Sequence, residues 1–231
     1  MVPLALAELH RSLPVGDRVE VLLPDGFGRP HHDGDGPPGV EPILTGAGFE
    51  MVSTSLDHAG RSSNLVRRER TLPDTVAHGM QVLTCGLNPS LFAADAAVGY
   101  ARAGNRFWPA ALAAGLVSVD RDPLHALRAH GVGMTDLVKR ATVGADELDA
   151  GEYRYGITRL TRLCAWLRPA VVCFVGLAGW RVAVDRTARP GRQDARIGDS
   201  VVYLMPSTSG RNAATGLDDL ARHFRSAAAL A

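Results

Sequence analysis

The chain has little of several features that often indicate a function. Lysine occurs once, at Lys139, and the net charge is only +1 over 231 residues. This balance excludes a global basic field, so any contact with nucleic acid must come from a local arrangement of arginines. The sequence lacks an apolar run long enough to span a bilayer. Its first residues also lack the basic start of a secretory signal, and we therefore expect a cytoplasmic protein.

Cysteine is also scarce, and the common phosphate-binding motifs are missing. The three cysteines, Cys85, Cys164 and Cys173, lie in apolar runs without metal-ligand spacing, which predicts reduced core thiols. The sequence contains neither the Gly-rich loop with Lys-Ser/Thr of nucleotide triphosphatases nor a Gly-x-Gly-x-x-Gly after the first strand. It also lacks the Gly-x-Ser-x-Gly elbow of serine hydrolases. We therefore predict no metal and no organic cofactor.

Two polar segments near the N-terminus invite a functional interpretation. Residues 31–35 read His-His-Asp-Gly-Asp, but they lie in a stretch rich in glycine and proline, residues 24–42, without a second ligand group. A solvated loop is favoured there over a metal site. Residues 61–70 contain four arginines, for which a solvated face is favoured over contact with nucleic acid.

The length fits one large domain, or one domain of about 150 residues with an appendage. We interpret residues 1–75 as an N-terminal extension of unknown role, partly loop-like, with a helix at 5–13 and strands at 18–23 and 49–55. Two interpretations of this extension are open: an arm that binds a partner, or an arm that contacts DNA. Residues 76–231 form the main domain.

The main domain alternates apolar runs with helical periodicity. Strands are predicted at 81–86, 131–138, 170–175 and 201–204, and helices at 107–114, 157–167, 177–185 and 217–230. This alternation predicts an α/β fold with a mostly parallel central sheet and helices on both faces.

Three polar motifs follow strands or begin helices of this pattern. They are Gly86-Leu87-Asn88-Pro89-Ser90, Asn105-Arg106-Phe107-Trp108 and Met205-Pro206-Ser207-Thr208-Ser209-Gly210-Arg211. The first and third each leave an apolar strand. Since parallel strands bring their carboxyl ends to one edge of a sheet, we expect a site between Asn88 and the 207–211 loop.

In this order the three motifs resemble the mismatch-specific uracil/thymine DNA glycosylases, which belong to the uracil-DNA glycosylase superfamily. The resemblance covers about residues 81–230. It implies a three-layer sandwich fold and an enzyme that removes uracil, thymine or other modified pyrimidines from mismatched DNA in base excision repair. The implied partner is double-stranded DNA with a mismatched or damaged pyrimidine, bound by a monomer at the nucleoid. Because Lys139 lies outside the motifs, no Schiff base is expected and the enzyme is predicted to be monofunctional.

The resemblance also implies roles for individual residues. Asn88 would position the attacking water, Tyr100 would stack on the extruded base, and Arg211 would fill the gap left in the duplex. The uncharged amide of Asn88 suits the positioning of water, because uracil and thymine can leave the sugar without a strong acid. The implied base pocket consists of Gly86, Leu87, Ser90, Ala93, Tyr100 and Asn105, and the implied DNA contacts are Ser207, Thr208, Ser209, Gly210 and Arg211. The alternatives are purely structural roles: Asn88 caps a turn, the 207–211 loop caps a helix, and Tyr100 packs at the domain edge.

Two positions depart from the family or bear on its substrate. Ser90 stands where the family commonly has glycine, and Ala93 leaves room for a 5-methyl group, so the base preference is open. Phe107 and Trp108 are assigned to the core and Asp136 to structure. Two other functions are also open. One is a non-catalytic lesion-binding module on the same fold, and the other is an unrelated small-molecule α/β enzyme.

Overall fold

The computed structural model describes residues 2–24, 27, 39–56 and 62–231; the predicted loop at 31–35 and Arg61 lie outside these ranges. The helices are α1 (Val2–Ser12), α2 (Val40–Gly46), α3 (Leu91–Ala96), α4 (Phe107–Ala113), α5 (Pro123–His130), α6 (Ala150–Leu167), α7 (Ala178–Ala183) and α8 (Leu217–Ala228). The strands are β1 (Arg18–Leu22), β2 (Phe49–Leu56), β3 (Ser62–Arg68), β4 (Val82–Gly86), β5 (Val132–Asp136), β6 (Val171–Val175), β7 (Gly191–Ile197) and β8 (Ser200–Met205).

A five-stranded sheet in the order β5-β4-β6-β8-β7 forms the centre of the molecule. Its first four strands are parallel, and β7 pairs antiparallel to β8 at one edge. Every residue of β4, β5 and β6 is buried, as expected for strands covered on both faces. The predicted mostly parallel sheet is confirmed.

Helices cover both faces of this sheet, which completes three layers. Alternate residues of β4 point to opposite faces: Leu83 joins the core beneath α6, and Val82 joins the core beneath α4 and α8. Helix α6 begins at a capping box formed by Asp149 and Glu152. It ends at Leu167, the predicted last residue, with Arg168 as its C-cap and Pro169 directly after the cap.

The first 68 residues contribute a second, antiparallel sheet in the order β1-β3-β2, packed with α1 and α2 around a core of its own. The predicted strands at 18–23 and 49–55 correspond to β1 and β2. The predicted loop at 24–42 was wrong at its end, because residues 40–42 begin α2. Most of the arginine-rich segment 61–70 lies in strand β3, and no strand was predicted there. The division of the chain at residue 75 stays a prediction.

The three cysteine thiols are free and buried, as predicted. Burial raises the pKa of Cys164 and Cys173 to about 12, so both stay protonated near neutral pH. Within the described ranges, no helix combines the length and apolar character needed to cross a membrane. The same residues contain no cluster of three or more His, Cys, Asp or Glu side chains able to hold a metal ion.

His10 is a buried titratable group in the N-terminal unit, and it predicts a pH dependence of stability. Its Nε2 lies 3.0 Å from the Glu69 carbonyl, and its ring packs edge-on against Phe49. Burial lowers the pKa of His10 from 6.5 to about 4. Between these values the unfolded chain binds a proton that the native state does not, so stability falls as the pH falls from 6.5 towards 4.

The replacement His10→Gln should reduce this acid-dependent loss. Urea unfolding at pH 7 and pH 4.5 measures it, and the change in the free energy of unfolding between the two pH values is expected to be smaller for the variant. An equal change in both proteins would contradict the assignment to His10.

Candidate active site

A pocket of about 490 Å³ opens at the carboxyl ends of the central strands, within the usual size range of ligand sites. All three motifs contribute to its wall. Of the predicted site residues, it is lined by Leu87, Asn88, Ser90, Ala93, Tyr100, Asn105, Ser207, Thr208, Ser209 and Arg211. Gly86 and Gly210, also predicted, do not line it. The sequence therefore located the pocket, while the roles of its residues stay predictions.

The Asn88 amide is held in one orientation. Its Nδ2 donates to the carbonyls of Pro89 (3.2 Å) and Arg140 (3.0 Å) and to the Thr142 hydroxyl (2.7 Å). Two carbonyl acceptors require the NH₂ group on that side, which fixes the amide against a flip. Among the described residues nothing donates to Asn88 Oδ1, so this oxygen of a pocket-lining residue remains available as an acceptor.

The loop that carries Asn88 is fastened to the segment following β5. Gly86 and Leu87 accept from the backbone N–H groups of Leu137 and Val138, both at 2.9 Å. Ser90 is the N-cap of α3, and its hydroxyl accepts from Ala93 N–H at 3.2 Å. The Ser90 side chain, at a position where the family commonly has glycine, therefore caps this helix.

Tyr100 lies in the pocket wall with one ring face already covered. Its ring stacks on Phe107, with centroids 4.0 Å apart and planes inclined by 4°. Its hydroxyl is buried and has no hydrogen-bond partner among the described residues. Burial raises the pKa of this phenol well above its usual value, so it stays protonated. The predicted stacking on an extruded base stays a prediction, and the ring face that lies against Phe107 is not available for it.

The second motif supports the pocket from behind. Asn105 Oδ1 accepts from Phe107 N–H at 3.0 Å and so fastens the start of α4. Phe107 and Trp108 are fully buried, which confirms their assignment to the core. Arg106 has a role that the sequence did not predict: its guanidinium donates to the carbonyls of Ser209, Asn212 and Thr215. It therefore ties the second motif to the third.

The third motif is a compact loop beside the pocket mouth. Ser209 N–H donates to the Ser207 hydroxyl at 3.2 Å, and Arg211 N–H to the Ser209 hydroxyl at 3.3 Å. Thr208 is only 1% exposed, whereas Gly210 and Arg211 are exposed. Both serine hydroxyls thus support the loop itself, and Arg211 places a basic side chain at the surface.

Asp136 and Thr142 also line the pocket, although neither was predicted to do so. Asp136, assigned to structure from the sequence, ends β5 directly opposite Gly86 of β4. Burial and, to a smaller extent, the nearby Asp74 raise the pKa of its carboxyl to about 6, against the opposing charges of Lys139 and Arg159. The signal available in the sequence was a carboxylate at the end of an apolar strand.

A family model matches most of the chain and agrees with the superfamily that the three motifs resemble. The model described as the uracil DNA glycosylase superfamily matches residues 73–229, which include every lining residue of the pocket except Leu72. The chain belongs to the uracil DNA glycosylase superfamily. The superfamily predicted from the three motifs is confirmed, and the mismatch-specific branch stays a prediction.

A solved structure offers a further comparison. The solution NMR structure of a candidate uracil DNA glycosylase from Methanosarcina acetivorans is similar over 68% of this chain and 96% of that protein. The two share 18% sequence identity, with a TM-score of 0.43.

Proposed function

We propose that this superfamily member is a monofunctional DNA glycosylase that hydrolyses the N-glycosidic bond of uracil in mismatched duplex DNA. Thymine and other modified pyrimidines are secondary substrates under this proposal, and the site of action is cytoplasmic. The observation that carries it is Asn88, an amide that lines a pocket of suitable size, whose NH₂ group is fully engaged and whose oxygen accepts no hydrogen bond among the described residues.

The chemistry follows from that amide. As the bond between the sugar C1′ and the base N1 breaks, the sugar becomes oxocarbenium-like and the base carries the electron pair away. A water held by Asn88 Oδ1 through one of its hydrogens keeps a lone pair free to attack C1′. The attacking water loses a proton to solvent, and the base anion takes up a proton. The products are free base and an abasic site.

A duplex with one U:G pair, incubated with the protein and then cleaved with alkali at abasic sites, tests the proposal. Strand cleavage by the wild type and its loss in an identically purified Asn88→Ala variant are the expected results. Binding without cleavage at any pyrimidine mismatch would instead favour the lesion-binding module. Failure to bind DNA at low salt would favour the small-molecule enzyme.

Arg211 is expected to act only on duplex DNA. As the exposed basic side chain of the 207–211 loop, it is proposed to fill the gap left by the extruded nucleotide. The replacement Arg211→Ala should lower excision from a U:G duplex by about tenfold or more, with a smaller effect on single-stranded DNA, which needs no wedge.

The exposed Arg154 of α6, outside the pocket lining, provides a matched control. The replacement Arg154→Ala should leave both rates unchanged, which separates loss of a wedge from loss of one positive charge. Equal losses on duplex and single-stranded substrates in Arg211→Ala would contradict the wedge role.

A further inference from the structure

Two polar groups, the Tyr100 hydroxyl and the Asp136 carboxyl, lie close together in the wall of the pocket. The Tyr100 hydroxyl is buried and unpaired among the described residues, and Asp136 is only 7% exposed. A Cβ placed on Gly86 would collide with Asp136 Oδ1 and lie 2.9 Å from the Tyr100 hydroxyl oxygen. Both groups therefore lie directly over Gly86. Buried polar groups are normally paired, so this corner of the pocket is suited to a ligand with polar atoms of its own.

The Asp136 carboxyl is held in place through its backbone. Strand pairing sets the residue opposite Gly86, and its main-chain carbonyl accepts from Arg159 Nη2 at 2.7 Å. The cations behind it are engaged elsewhere: Lys139 Nζ lies 2.8 Å and Arg159 Nη1 2.9 Å from the carboxylate of Asp74. No ion pair of the described residues includes the Asp136 carboxyl, which leaves it free for a bound molecule.

Several titratable groups surround this carboxyl. They are Asp74 before β4, Cys85 in β4, Tyr100 after α3, Lys139 after β5 and Arg159 in α6, with Arg102 and Arg211 at the outer wall. Asp74 offsets part of the charge of Lys139 and Arg159. Burial therefore dominates, and it favours the neutral form of Asp136. A base that closes the pocket would remove water further and favour the neutral form more strongly.

The charge of Asp136 matters because of what a glycosylase releases. A pyrimidine base departs with negative charge, and an ionised carboxylate beside it would oppose that charge at short range. A neutral carboxylic acid instead presents an O–H donor next to a C=O acceptor. That pair complements the imide edge of uracil, where N3–H lies beside a carbonyl, in the same way as a side-chain amide does.

We propose that Asp136 is a specificity-determining residue that pairs, as a neutral acid, with the imide edge of the extruded base, while the Tyr100 hydroxyl bonds the same base. This inference rests on the proposed glycosylase function and assigns a substrate-reading group to its pocket. The base that fits is one with an N–H flanked by a carbonyl, as in uracil and thymine.

The replacement Asp136→Asn tests the inference, because asparagine keeps a donor beside an acceptor but cannot ionise. Single-turnover excision from a U:G duplex is measured from pH 5 to pH 9. The wild-type rate should fall about 50-fold between pH 6 and pH 8, since the neutral fraction of a group with a pKa of about 6 falls from about one half to about one hundredth. The Asp136→Asn rate should stay nearly constant and exceed the wild-type rate at pH 8.

A binding measurement separates this inference from the proposed function. A duplex with 2′-fluoro-2′-deoxyuridine opposite guanine, in which the glycosidic bond resists cleavage, is titrated with both proteins at pH 6 and pH 8. Weaker wild-type binding at pH 8, with unchanged binding by Asp136→Asn, would support base reading even if excision were absent at every pH. Absence of excision at every pH would overturn the proposed function and leave the base-reading inference intact.

Parallel pH dependence of wild type and Asp136→Asn in both assays would overturn the inference. So would a variant that keeps the wild-type thermal unfolding midpoint and binds undamaged duplex normally, but has lost excision and binding of the fluorinated duplex at all pH values. Thermal unfolding thus distinguishes a lost contact to the base from a lost fold.

Discussion

The replacement Asn88→Ala is expected to lower the rate of uracil release by about 10²- to 10⁴-fold, the range measured when a positioned catalytic group is removed. The alanine side chain removes the acceptor that holds the attacking water in the pocket. It also leaves the Pro89 and Arg140 carbonyls and the Thr142 hydroxyl without the donor they now share. Single-turnover kinetics on a U:G duplex, with enzyme in excess, measures the chemical step separately from product release.

The variant Thr142→Val provides a graded control. It removes only the 2.7 Å bond to Asn88 Nδ2 and retains both carbonyl acceptors. The amide should then keep its orientation with more freedom, and the rate should fall by much less than in Asn88→Ala. If Asn88→Ala kept more than about one tenth of the wild-type rate, the loss would be smaller than that expected for a positioned catalytic group. This result would contradict the role of Asn88.

The replacement Asp74→Ala is expected to destabilise the protein by about 3–5 kcal/mol, because it leaves two buried cations without their anion. The Asp74 carboxylate accepts from Lys139, from Arg159 and, at 2.7 Å, from the Thr135 hydroxyl. The side chains of Arg159, Asp74 and Lys139 are 1%, 5% and 7% exposed. Burial raises the pKa of Asp74, but the charges of Lys139 and Arg159 outweigh it and hold that pKa below its usual range. The stabilisation is therefore present above pH 3.8 and is lost as the pH falls through the lowered native pKa.

Urea unfolding at pH 7 measures this effect. The pair Asp95–Arg70 is the matched control, since its oxygen and nitrogen lie 2.6 Å apart but both side chains are about half exposed. The replacement Asp95→Ala should cost no more than about 1 kcal/mol, because solvent screens an exposed pair. Similar small losses in both variants would contradict a central role for Asp74.

Most of the central sheet could be predicted because its strands are continuous apolar runs. Strand β7 was missed for the opposite reason: its sequence, Gly-Arg-Gln-Asp-Ala-Arg-Ile, is polar, and most of its residues are exposed at the sheet edge. Strand β3 was hidden by its arginines and by Asn64, a polar residue that is fully buried. Helices α3 and α5, of six and eight residues, are too short to show a clear period.

The candidate site could be predicted where its residues are contiguous in sequence. Asn88, Asn105 and the 207–211 loop each belong to a motif at the end of a strand or the start of a helix, and the sheet topology brings them together. Asp136 and Arg106 could not be assigned in the same way. The placement of Asp136 depends on its pairing opposite Gly86, and that of Arg106 on three carbonyls over 100 residues away. Such register and long-range contacts arise only in the folded chain.

The position of Asp74 has a consequence for the modular organisation of the chain. Asp74 N–H donates to Gly46 of α2, and its carboxylate neutralises cations that follow β5 and lie in α6. A shortened chain that started at residue 76 would lack that carboxylate and would carry two positive charges into a dry interior. Asp74 therefore supplies charge neutrality to the main domain from outside residues 76–231, and a cut at residue 75 would remove that counter-ion.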